Sequence, residues 1–141
     1  MRRWFALALA LLLAACAAQA LPMHEIAVGQ HSQFHEPAHI VVRDAQSWRD
    51  LWEERLHGAP PAIDFEREMV VGAALGTRPS GGYGIRIERA VLDEEGTLVV
   101  TLRELAPPPG AMLSQAFTQP FHFVRVPRVD ARVAFRVASD P

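Results

Sequence analysis

Lysine is absent from the sequence, and all 14 basic residues are arginine. A coding bias accounts for this, yet it excludes every mechanism that needs a lysine. Cysteine occurs once, at position 16. No disulfide can therefore form within the chain, and stability must come from packing and backbone pairing. A basic field is missing as well. Setting aside Arg2 and Arg3, 12 of the 14 arginines face 16 carboxylates, a net charge of about −4 with histidine neutral. No nucleic acid partner is expected from that balance.

The longest apolar run, residues 4–15, is too short to span a bilayer as a helix. Behind Arg2 and Arg3 it has the form of a secretory signal. It ends Leu13-Ala14-Ala15-Cys16, which resembles the lipobox of bacterial lipoproteins. The expectation is a lipoprotein signal peptide over residues 1–16 and a lipid bilayer as partner through an acylated Cys16. By resemblance to lipoprotein sorting signals, Ala17 after the cysteine favours the outer membrane in a cell that has one, with the domain facing the periplasm. The alternative is cleavage behind Ala20, after the small-x-small pattern Ala18-Gln19-Ala20, giving a soluble periplasmic protein. Residues 17–24 then form a tether, and residues 25–138 are enough for one domain with one core.

Within that domain, residues 45–57 are the one clear helix. Trp48, Leu51, Trp52 and Leu56 recur at helical spacing, and Asp44 or Ser47 can cap the start. Gly58 stops it, and Pro60-Pro61 prevent resumption. Residues 69–75 are small and continuously apolar, the pattern of a strand covered on both faces. Alternation predicts further strands at 83–88, 97–103, 121–126 and 132–137, and weaker ones at 25–28 and 39–43. Asp93-Glu94-Glu95-Gly96 is a turn. Together these predict an α+β domain, a mainly antiparallel sheet of five to seven strands with one amphipathic helix packed on it. A partly closed barrel or a sandwich is the alternative.

Between two apolar segments lies Arg78-Pro79-Ser80-Gly81-Gly82-Tyr83-Gly84, whose glycines suggest a phosphate loop. That motif requires a lysine and a following helix. Here a strand follows, so the segment is expected to be a hairpin connection in which Gly81 and Gly82 supply positive φ. His31, His35 and His39 lie four apart, with His24 nearby, and make the sequence's candidate metal or small-ligand cluster, although Pro37 disfavours a helix there. No G-x-S-x-G elbow surrounds Ser80, so no nucleophile is assigned. Asp64 and Glu66 could share a face for acid/base work but more simply cap a strand entrance. No catalytic residue and no cofactor is expected.

Several segments resemble one family. Trp48-Arg49-Asp50-Leu51-Trp52 resembles its W-x-x-L-W helix, and Asp64-Phe65 before Met69-Val70-Val71 its D-F approach to a central strand. Pro79 to Ile85 resembles its T-G-G-Y-x-I turn. Pro107 to Gly110, then Thr118-Gln119-Pro120-Phe121-His122, resemble its P-x-P-G and T-x-P-Y-H segments. This is the PrcB C-terminal-like family, named for an accessory lipoprotein of a bacterial surface protease complex. The departures are Ser80 for Thr and Phe121 for Tyr. The resemblance implies a non-catalytic exported interaction module that binds and stabilises a secreted or surface protease, or another envelope protein. It makes Arg78, Ser80, Gly81, Gly82 and Tyr83 the candidate contact turn, with Trp48, Leu51, Trp52 and Pro120 structural. An envelope-structural lipoprotein is the remaining expectation.

Overall fold

The computed structural model describes residues 17–139. Cys16 and the rest of the expected signal peptide, residues 1–16, lie outside them. Eight strands and one helix follow in the order β1 (Gln19–Ala20), β2 (His24–Gly29), β3 (Pro37–Val42), α1 (Ala45–Arg55), β4 (Glu68–Leu75), β5 (Gly84–Leu92), β6 (Thr97–Leu105), β7 (Phe121–Pro127) and β8 (Arg132–Val137). The expected count of five to seven is thus one strand short. The extra strand is β1, which lies inside the stretch read as a tether and gives no periodicity to read in two residues.

The strands form two four-stranded sheets, ordered β1-β5-β6-β8 and β2-β7-β4-β3. All pairings are antiparallel except β6 with β8. The molecule is thus mostly β, with neither the single sheet first expected nor a closed barrel. The β4 sequence explains the layering. Met69, Val71, Ala73 and Leu75 point into a core shared with Ile85, Ile87, Leu98, Val100 and Leu102 of the other sheet. Val70 and Ala74, on the opposite face, meet Phe123, Trp48 and Trp52 in a second core under the helix. An apolar strand without alternation is what a middle layer requires.

Helix α1 ends two residues before the expected limit. Asp44 caps it, its carboxylate accepting from the Ser47 N–H at 2.8 Å. Burial of Trp48 and Trp52, to 2% and 7% exposure, contributes roughly 2 kcal/mol or more each by area. Leu51 packs at the edge of the same core. The Trp48 indole N–H donates to the Pro61 carbonyl at 3.0 Å, so the proline pair that follows the helix also anchors its central aromatic. Gly72, the cross-strand partner of Phe123, leaves the space in which the Phe123 ring lies, since a Cβ there would be 2.3 Å from that ring.

Candidate functional site

The segment from Gly76 to Tyr83 leaves β4 in one sheet and enters β5 in the other. It is not a hairpin. Its two flanking strands never pair, because the segment is stitched instead to the stretch before β7. Arg78 and Thr118 exchange backbone bonds, N–H to carbonyl at 2.8 and 3.0 Å. The Thr118 hydroxyl donates to the Ser80 carbonyl at 2.9 Å, and the Gly81 N–H to the Ser114 carbonyl at 3.2 Å. The Leu75 N–H donates to the carbonyl of buried Pro120 at 2.9 Å. Ser80 is itself buried, its hydroxyl donating to the Gly81 carbonyl at 3.0 Å.

Only Gly82 of the expected pair has a positive φ, at +88°. Gly81 is glycine for another reason: a Cβ there would stand 2.8 Å from the Ser114 Oγ. Two stretches 38 residues apart, each singled out by its motif, thus form one corner.

Tyr83 leaves this corner half-buried. It packs against the core between the sheets, and the Arg78 guanidinium lies 5.9 Å from its ring centroid, within reach of a cation–π contact. A groove opens on either side of it. One, of about 300 Å³, runs between residues 28–30 and residues 82–86. The other, of about 390 Å³, lies between Arg78, Pro79 and Glu104. Leu105, 41% exposed, borders both. The arrangement offers an aromatic, a guanidinium and aliphatic walls on a surface held by backbone bonds, the composition of a protein contact.

Below this surface is a residue that sequence reasoning left without a role. His122 on β7 is 4% exposed. Its Nδ1 accepts from the Ile87 N–H at 2.9 Å, across the gap between the sheets, and its Nε2 lies 3.1 Å from a Glu25 carboxylate oxygen. Since Nδ1 accepts, Nε2 carries the proton and donates to Glu25. Ile87 stands beside the bulge in β5, where the ladder to β6 shifts register before Arg89, so its N–H needs an acceptor from elsewhere. Burial, aided by the nearby Arg86 charge and opposed by Glu25, holds the imidazole below the ordinary histidine value. The signal was available. In Phe121-His122-Phe123-Val124-Arg125-Val126, period two puts His122 on the face of Val124 and Val126, and so inside.

The histidine cluster is not assembled. His35 bonds Thr77 and Gln33 through its two ring nitrogens, at 3.4 and 3.2 Å. His39 stacks on Phe135 of β8 with centroids 4.6 Å apart, while His24 and His31 are exposed on other segments. Among the described residues no three His, Cys, Asp or Glu side chains stand together as metal ligands would. Pro37 begins β3 and so prevents the helix that would have stacked them. Asp64 is spent on its own turn, accepting from the Glu66 N–H at 3.2 Å.

No curated protein and no solved structure matches the chain. The PrcB C-terminal family does, over residues 69–127. The matched stretch runs from β4 through β7 and contains both halves of the corner, the Tyr83 surface and His122, while the Trp48–Trp52 helix motif falls before it. Residues 69–127 are therefore similar to the PrcB C-terminal family.

Proposed function

We propose that this chain is a non-catalytic exported interaction module that binds and stabilises a secreted or surface protease, or another envelope protein. In this reading an acylated Cys16 holds it at the membrane. The observation that carries it is the convergence of the two family motifs on one corner. That corner spends its glycines and buried hydroxyls on fixing a surface and leaves Tyr83 and Arg78 presented between two grooves. Rigid loops on a sheet scaffold are where recognition residues sit. The non-catalytic part is supported by how the reactive side chains are engaged. The Ser80 hydroxyl is turned to a backbone carbonyl, and both His122 nitrogens are occupied by Ile87 and Glu25. Neither has the free partner that nucleophilic or general-base chemistry requires.

A tagged Tyr83→Ala variant with wild-type thermal stability tests this reading. It is expected to lose, by at least tenfold, the envelope protein that the wild-type chain retains on affinity purification after in-cell crosslinking. Equal recovery of the same partners removes the Tyr83 surface from the interface. Recovery of no specific partner by either chain leaves the envelope-structural reading in its place.

A further inference from the structure

We infer that the loop of residues 106–118 inserts into the partner protein, seating the Phe117 ring and the Met112 side chain in an apolar pocket that carries no charge. This deepens the interaction-module reading and rests on it. Among the described residues no large apolar side chains are more exposed than these two, Met112 completely and Phe117 to 70%. One exposed apolar residue is ordinary on a protein surface. Two on one loop, at the corner that also presents Tyr83 and Arg78, give the aromatic, Met and Arg composition of an interface.

The exposure is built into the backbone. Pro107-Pro108-Pro109 fix three successive φ angles, and the Ala111 N–H closes a turn on the Pro108 carbonyl at 3.2 Å. Pro107 and the half-buried Leu113 pack over Gly82, where a Cβ would lie 2.7 and 2.9 Å from them. The Ser114 carbonyl accepts from Gly81, Thr118 exchanges its two bonds with Arg78, and the Gln119 N–H donates to the Gln30 carbonyl at 2.8 Å. Thr118 is 2% exposed. Neighbours on extended backbone face opposite ways, so with Thr118 turned in Phe117 is turned out. A loop fastened at both ends has little freedom left to lose on binding.

Charge defines the pocket. Between Glu104 and Arg125 the sequence has no Asp, Glu or Arg. The loop thus carries no charge to pair with one buried on the partner, and such a charge would lose its water uncompensated. The complementary surface is therefore apolar. A bilayer is apolar too, but the loop lies at the wrong end of the sheet for it. It leaves β6 at Leu105, which pairs with Gly84, whereas β1 pairs with Val91 and Leu92 at the other end of β5, roughly 25 Å away at ~3.3 Å per residue. Three residues back from Gln19 is Cys16, a reach of about 10 Å. An acyl chain on Cys16 leaves the loop at the end of the domain remote from the anchor, and the occupant of its apolar side chains is a protein.

The test uses the processed full-length protein in living cells and variants at exposed positions of the loop, each chosen to melt as the wild type does. After crosslinking and affinity purification, Phe117→Ala is expected to recover at least tenfold less of the partner than wild type. Phe117→Leu should keep most of it, and Ala116→Ser should equal wild type. A photocrosslinking amino acid at position 117 should form adducts with the same exported protein that position 83 reaches. Full recovery by Phe117→Ala overturns the insertion, as do adducts from position 117 only to lipid or only between copies of this chain. The two readings fail separately. Recovery that falls with Tyr83→Ala but not with Phe117→Ala removes the loop alone, whereas a wild-type chain that recovers no specific partner removes the module reading with it.

Discussion

Replacing His122 with phenylalanine keeps most of the buried volume on β7 and removes the acceptor that Ile87 uses across the sheets. A buried donor left without a partner costs about 1–3 kcal/mol. The second contact, to a Glu25 side chain that is 58% exposed, adds only about 0–1 kcal/mol. The expected loss is therefore about 1–4 kcal/mol in urea unfolding, with an unchanged slope. His122→Asn separates the two contributions, because its amide oxygen falls near the position of Nδ1. It is expected to recover part of the loss while giving up Glu25. The pH dependence follows from the direction of the shift. A histidine held below its ordinary value of about 6.5 leaves the unfolded chain as the better proton binder under acid. Its contribution is thus fully present above that value and is lost as pH falls from there through the lower folded-state value. Wild-type stability should decline over that window, and His122→Phe should flatten the decline. A His122→Phe protein within about 0.5 kcal/mol of wild type, or one with an undiminished acid slope, would refute the assigned bonding.

Other substitutions test the corner and the cores. Gly82→Ala must adopt a positive φ, which costs about 1–2 kcal/mol, and its Cβ would lie 2.7 Å from Pro107, for a further ~1–3 kcal/mol of overpacking. Gly96→Ala, with a similar φ of +81° but open space, should cost only the backbone share, so chemical denaturation should rank Gly82→Ala clearly lower. Gly72→Ala drives a methyl against Phe123 and is expected to lose about 1–3 kcal/mol or more. Adding Phe123→Leu should give a double variant more stable than the sum of the two single losses, as a shared contact requires. Asp44→Ala removes the helix cap and should lower the melting temperature at neutral pH. Ser47 bonds hold that carboxyl below its ordinary value, so the cap's contribution is present above about 3.8 and should disappear as pH falls through the lower folded-state value.

Elements with a strong local signature could be read directly from the chain. The helix with Trp48 and Trp52, the two-faced burial of residues 69–75 and the turn closed by Gly96 all follow from spacing and composition. Which sheet a strand joins does not. Period two reports that one side of a strand is buried, but the same pattern serves either layer of a sandwich. β7 and β8 show the difficulty, because only residues 128–131 separate them and yet they lie in different sheets. The crossing is held by arginines, Arg128 donating to the carbonyls of Arg43 and Phe65 and Arg43 to that of Ala131. Such long-range bonds leave no local trace. The corner was half-legible for the same reason: its glycines and motif residues stood out, but their bonding partners lay 38 residues away. Tyr83, which the sequence marks only as a member of the candidate contact turn, packs against the core and also borders two grooves.

A photocrosslinking amino acid placed at Tyr83 in living cells, with the exposed helix position Arg49 as control, bears most directly on whether this corner recognises a protein. Adducts to one exported protein from position 83, absent from position 49, are the predicted result. No adduct from position 83, or the same set of adducts from both positions, would contradict it.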